Sequence, residues 1–219
     1  MGFDVDAVWS AMPRLMDAIS VNFRIALISI LLAVLGGTVL TILRSFRIRA
    51  LNAVIILMIS FIRGTPLLIQ IFLAYYGLPA LGLRLSPEAA GILALSLNSA
   101  VFVSEILRGS LPSIEDGQIE AATALGLPAA VIWGKIVLPQ LFRKTLPMLI
   151  NESTVVVKGT ALLAVITVVE TLRVAQQIGA STFRPFEPIV GAAILFLGLY
   201  LLLTTLGWTI ERRHAQERR

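Results

Sequence analysis

The chain has 219 residues, of which 57% are hydrophobic and 14% charged, and its mean hydropathy is +0.89. A soluble domain carries about 45–50% apolar and about 25% charged residues, so a single buried core cannot absorb the surplus and the solvent must be lipid. The same composition excludes a disordered chain, and the absence of cysteine excludes a disulfide scaffold. The net charge of +5 sits in short clusters between apolar runs, so it marks topology rather than a nucleic-acid-binding face.

A hydrocarbon layer of about 30 Å takes about 20 helical residues. Five runs qualify, at about 18–43, 51–79, 88–110, 145–170 and 188–210. The expected fold is therefore an all-α polytopic membrane protein with five transmembrane helices, forming one unit over residues 1–219. The first run is free of charge from Ile25 to Leu43. Asp4 and Asp6 precede it without a basic leader, which predicts a retained span rather than a signal peptide.

The second run is interrupted by Arg63, with Gly64 and Pro66 just after it, a pattern that marks a bend. The third carries Asn98 and Ser99 at mid-depth and Glu105 further along. An intramembrane cation needs an anion, so Arg63 reads first as a structural ion pair with Glu105 or Glu152, and otherwise as part of a polar passage.

Between the third and fourth runs, Ser113-Ile114-Glu115-Asp116 matches a helix-capping pattern and predicts a helix start there. Gly126 offers a left-handed stop, and Pro128 opens a second short helix. From spacing alone, this segment of about 113–137 is equally a connector packed on its own bundle or a docking element for another protein's groove.

The fourth run contains Glu152, Lys158 and Thr160. Lys158 has no flanking acid, which makes it the better candidate for an anionic ligand group; the adjacent Gly159 reads alternatively as a small-residue helix contact. The fifth run is free of charge from Pro188 to Ile210 and ends in a basic tail with the single histidine, His214.

Five spans place the termini on opposite sides. Eleven of the 18 basic residues (Arg44, Arg47, Arg49, Arg108, Lys135, Arg143, Lys144, Arg212, Arg213, Arg218 and Arg219) share the side of the 113–137 segment. That side is predicted to be cytoplasmic, with the N-terminus outside and the C-terminus inside. No paired nucleophile and base, and no cluster at metal-ligand spacing, predicts a catalytic or metal site.

Glu120-Ala121-Ala122, then Gly126, then Ile136-Val137-Leu138-Pro139 resembles the EAA motif of the membrane subunits of bacterial ABC importers. Phe61 to Leu68, Tyr76-Gly77-Leu78-Pro79, Leu95 to Ala100 and Phe183 to Glu187 resemble the polar amino acid permeases that take up histidine, arginine, glutamine and cystine. The resemblance implies a type I ABC importer transmembrane domain in the bacterial cytoplasmic (inner) membrane, with the EAA segment as a cytoplasmic coupling helix.

It also implies the partners: a second permease subunit, of the same or a different chain, two cytoplasmic ATPase subunits, and a periplasmic or lipid-tethered substrate-binding protein. Glu120, Ala121, Ala122 and Gly126 would meet the ATPase. No phosphate-binding G-x-x-x-x-G-K-[ST] run is present, so the chain is expected to bind no cofactor itself and to leave ATP and magnesium to the ATPase. Lys158, Thr160, Asn98, Ser99, Arg63 and Glu152 are the candidate substrate-pathway residues. The family commonly has Lys-Asp-Thr where this chain has Lys158-Gly159-Thr160, which implies an uncharged polar, cystine or acidic substrate. The remaining alternative is an ion-gradient-driven secondary transporter or channel subunit.

Overall fold

The computed structural model describes residues 3–46 and 48–216 and contains no strand among them. Arg47, Arg218 and Arg219, counted above for orientation, lie outside the described residues. Nine helical segments follow in order: α1 (Val5–Ser45), α2 (Arg49–Gly64), α3 (Leu67–Phe72), α4 (Pro87–Ser110), α5 (Asp116–Ala124), α6 (Ala129–Val131), α7 (Leu138–Gly159), α8 (Thr171–Thr182) and α9 (Phe186–Gln216). Wider and tighter turns extend α3 through Leu81, join α6 to α7, and extend α7 through Ile166.

Four of the resulting helices are long and apolar enough to cross a membrane, and the number is five when the bent pair of α2 with the α3 segment is counted as one broken span.

α1 starts where Asp4 accepts hydrogen bonds from the backbone of Asp6 (3.0 Å) and Ala7 (3.3 Å). Arg184 also pairs with Asp4 and holds its carboxyl below the ordinary value. The buried residues Asn22, Ile25, Ala26, Ser29, Ala33, Gly37 and Thr41 recur every three or four positions and give α1 one continuous inner stripe. Its lower part lies against α4 with very little clearance: a Cβ on Gly37 would stand 2.5 Å from Val103 Cγ1 and 2.8 Å from the Ala100 carbonyl oxygen. Gly37→Leu is therefore expected to force the two helices apart and destabilise the protein by about 2 kcal/mol or more, read as a lower unfolding temperature in detergent.

The run from 51 to 79, expected as one span, is two legs meeting at 111°. Pro66 lacks an amide hydrogen and keeps Thr65 extended, at φ −116° and ψ 142°, so α2 stops at Gly64. The Gln70 side-chain amide replaces the lost donors, giving hydrogen bonds to the carbonyls of Ile62 (2.8 Å) and Thr65 (3.1 Å), while Asn98 of α4 donates to Gln70 Oε1 at 3.0 Å. α3 then runs antiparallel to α4, with Ile71 and Ala74 packed among Ala90, Ala94 and Leu95. α2 consequently turns away from α3, with Ile55, Ile59 and Ile62 packed against Val101 of α4 and against Leu40 and Leu43 of α1.

At the end opposite α5, Val174, Ala175 and Ile178 of α8 pack with Ala11, Leu15 and Ala18 of α1 and with Ala192 of α9. Phe3 meets Phe186 edge to face there.

Candidate functional site

The 113–137 segment forms the expected helix, turn and helix, but two residues later than the capping pattern predicts. Pro112 lies in a 3₁₀ turn spanning Leu111–Ser113, and the Ser113 hydroxyl donates to the Ser110 carbonyl instead of capping a helix. α5 therefore begins at Asp116. Its C-terminus follows a Schellman arrangement: Gly126 has φ +73°, its N–H reaches the Thr123 carbonyl at 2.9 Å, and the Leu127 N–H reaches the Ala122 carbonyl at 3.1 Å. Pro128 then starts α6.

Ala122 is turned inward against Ile132 and Val137, so its small side chain sets how closely α5 lies on the following turn. Glu120 and Ala121 are exposed. Leu125 and Leu127 flank Gly126 at the tip, and Leu125 is 79% exposed. Sequence reasoning passed over these two leucines, although apolar residues on both sides of a stop glycine in a polar connection are a visible signal. α5 is braced to α7 by the Gln140 amide, which donates to Gln118 Oε1 at 2.7 Å, and the turn just before α5 is held to α7 by Lys144, which donates to the Ser113 carbonyl.

The pathway candidates fall into separate pairs rather than one cluster. Arg63 ends α2 and stands 3.5 Å from Glu105, a carboxylate that also receives Arg44 and Arg108. Arg44 closes α1 and Arg108 closes α4 on the α5 side, so the bend brings Arg63 to that end of the bundle and not to mid-depth. Of the two partners expected for Arg63, Glu105 or Glu152, the structure places it beside Glu105. Asn98 is engaged with Gln70. Ser99 donates to Glu152 at 2.8 Å, linking α4 to α7.

Thr160 is fully buried and accepts a 2.8 Å hydrogen bond from Asn22 of α1. Asn22 also donates to Glu170 at 3.0 Å and accepts from the backbone N–H (3.0 Å) and hydroxyl (2.7 Å) of Thr171. Glu170 in turn caps α8 through the amides of Leu172 and Arg173. All four side chains of this network are buried. No local pattern links Asn22 to residues 138 and 148 positions away.

Lys158 occupies the last turn of α7, is exposed, and places its ammonium 5.9 Å from the centre of the Tyr200 ring on α9. No carboxylate pairs with it among the described residues. Gly159 faces the interior, where a Cβ would come within 2.9 Å of Leu95 and 3.2 Å of Leu67. The helix-contact reading of this glycine is therefore met in the packing. Among the described residues no group of His, Cys, Asp or Glu is placed to hold a metal ion.

The family described as binding-protein-dependent transport system inner membrane component matches residues 29–216. The chain belongs to that family. It is a multi-pass inner-membrane subunit with the fold of a type I ABC importer transmembrane domain.

Over 214 residues it is 34% identical to the arginine transport system permease protein ArtQ of Bacillus subtilis (strain 168), covering 97% of this chain and 98% of that one. Over 215 residues it is 33% identical to the glutamine transport system permease protein GlnP of Escherichia coli (strain K12), again covering 97% and 98%. A crystal structure of an amino acid ABC transporter with histidines matches with a TM-score of 0.86 at 31% identity, covering 97% of this chain and all of that one.

Proposed function

We propose that this chain is the permease subunit of an ATP-driven importer that carries a polar amino acid inward by alternating access. The observation that carries the reading is the α5 turn: an exposed element, ended by a left-handed glycine, braced through Gln140 and Lys144 to the same α7 that bears Glu152 and Lys158. A partner ATPase that grips Glu120, Ala121, Leu125 and Leu127 would displace α5, and the two braces would pass that displacement to α7 as a rigid body. ATP and magnesium belong to that ATPase. A second permease subunit and an external binding protein complete the assembly, with α5 in the cytoplasm and the N-terminus outside.

Lys158 is assigned to the substrate carboxylate and Glu152, held by Ser99, to its ammonium group. Asn98, Arg63 and Thr160 act as positioning residues, fixing α3, α2 and the turn after α7 through Gln70, Glu105 and Asn22. With no acid paired to Lys158, the favoured cargo is an uncharged polar amino acid, cystine or an acidic amino acid. Similarity to both an arginine and a glutamine permease leaves that choice to Lys158 and its surroundings.

The test is ATP hydrolysis by the complex reconstituted in lipid with its ATPase and binding protein, across a panel of L-amino acids. Stimulation by an uncharged or acidic amino acid supports the reading, stimulation by arginine alone overturns the specificity assignment, and no interaction with an ATPase overturns the importer. In the same assay Lys158→Met is expected to lower the substrate-stimulated rate about tenfold or more, as loss of one charge-assisted contact would, with basal hydrolysis retained.

A further inference from the structure

Glu105 receives three guanidinium groups. Arg44 donates to Oε1 at 2.6 Å, and Arg108 donates to Oε1 at 3.0 Å and to Oε2 at 2.9 Å. Arg63 stands 3.5 Å from the same Oε2. One carboxylate thus faces three cations, and a surplus of positive charge remains. Arg44 is nearly covered, whereas the Arg63 and Arg108 side chains are 53% and 48% exposed. Because both reach one oxygen, these two like charges are neighbours. Each guanidinium has five N–H donors, so most of them point outward with no protein acceptor.

The helix that delivers Arg63 has a second property. α2 is bent by 111° away from the α3 segment, which runs antiparallel to α4, so it slants steeply across α4 instead of continuing alongside it. Its inner face is Ile55, Ile59 and Ile62. Around its outer side, at 100° per residue, Arg49, Ser60 and Arg63 share one flank with Ile56, and Val54, Leu57 and Phe61 make up the other. The three apolar side chains are 66%, 72% and 53% exposed. Beside them the bend encloses an apolar cavity of about 320 Å³, lined by Met58, Phe61, Leu73, Ala94 and Leu97 with Gln70 at its edge. A helix slanted across the end of the bundle, with two arginines and several exposed apolar side chains around its outer side, is the arrangement of an interfacial element.

We propose that Arg63 and Arg108 hold the phosphate of an anionic phospholipid whose acyl chains lie along Val54, Leu57 and Phe61 of α2. The planar fork of arginine matches two phosphate oxygens, and the surplus charge selects a headgroup with net negative charge over a zwitterionic one. The lipid bridges α2 to the end of α4 across the open side of the Glu105 cluster. The assignment concerns the membrane face that carries α5 and does not depend on what the protein transports.

Native mass spectrometry of the full chain in mild detergent tests it, with phosphatidylglycerol and phosphatidylcholine of equal chain length as probes and glycerol phosphate as the free headgroup. Wild-type protein is expected to retain phosphatidylglycerol in preference to phosphatidylcholine and not to retain glycerol phosphate. Arg63→Gln with Arg108→Gln should weaken phosphatidylglycerol retention about 30-fold, the combined contribution of two cations at a membrane surface. Arg143→Gln, an exposed basic residue at the same end, should change nothing.

Should the double variant fail to fold, Leu57→Ser with Phe61→Ser, outside the ion cluster, is expected to lower retention of the same lipid several-fold. Retention unchanged in both double variants overturns the proposal. So does glycerol phosphate binding as well as the lipid, which would make this a free-phosphate site. Lipid retention unchanged while ATPase binding is lost would make the arginine pair a protein contact and overturn it equally.

Discussion

A permease carrying Gly126→Val is expected to reach the membrane at normal levels and to show no substrate-stimulated ATP hydrolysis in the reconstituted complex. Gly126 sits at φ +73°, and a Cβ there would meet nothing within 4 Å. Space is therefore no obstacle, and the whole effect is conformational. A β-branched residue at positive φ costs on the order of 1–2 kcal/mol or more. The local chain avoids that cost by leaving the left-handed region, which breaks the hydrogen bonds from Gly126 to Thr123 and from Leu127 to Ala122. Leu125 and Leu127 then no longer flank one tight tip.

Asparagine enters the left-handed region with little penalty, so Gly126→Asn should keep most of the stimulated rate. Gly126→Asp adds a negative charge at a helix C-terminus and should fall between the two, nearer to valine. Equal activity of the valine and asparagine variants would show that the backbone turn is not what the ATPase reads.

Asn22→Leu is expected to produce the largest loss of stability among single polar replacements. The side chain is fully buried and bonds Thr160, Glu170 and Thr171 simultaneously. Leucine is of similar size, so no large cavity opens. What changes is that the Thr171 amide and hydroxyl lose their acceptor and Glu170 loses one donor, all in a site sealed from water. A buried group left unsatisfied costs about 1–3 kcal/mol, more when charged. A total of about 3–5 kcal/mol lowers the unfolding temperature of a domain of this size by roughly 10 °C.

Hydrogen exchange should report the loss first in α8, whose N-terminus depends on Glu170, and in the 3₁₀ segment that follows Lys158. An unfolding temperature within 2 °C of wild type, with α8 still protected, would show that the network carries no such weight.

Single residues show how far sequence reasoning reached. Gly126 was legible because a helix stop is a local event: a glycine after an alanine-rich run and before Leu-Pro has few other uses. The start of the same helix was read two residues early, because Ser113 sits in the 3₁₀ turn with its hydroxyl donating to the Ser110 carbonyl, a partner that comes within reach only once Leu111 and Pro112 have turned. Gly64 and Pro66 announced a break in the second span. The angle of 111° follows from Ile55, Ile59 and Ile62 finding α1 and α4, and from Gln70 closing the bend with help from Asn98. The depth of Arg63 changes with that angle. Thr160 looked like a polar group free for a passage until Asn22, far away in sequence, occupied it.

The sequence by itself determined that this protein lives in lipid, how many apolar segments it has, where its basic clusters lie and where the turn at Gly126 ends α5. These are properties of windows of about 20 residues or fewer, set by transfer of side chains between water and hydrocarbon and by local backbone sterics. Only the tertiary structure decided which polar groups satisfy one another: Asn22 with Glu170, Ser99 with Glu152, and three arginines on Glu105. In a medium without water each buried donor must find an acceptor inside the protein, and the folded chain makes its choice among residues many helices apart.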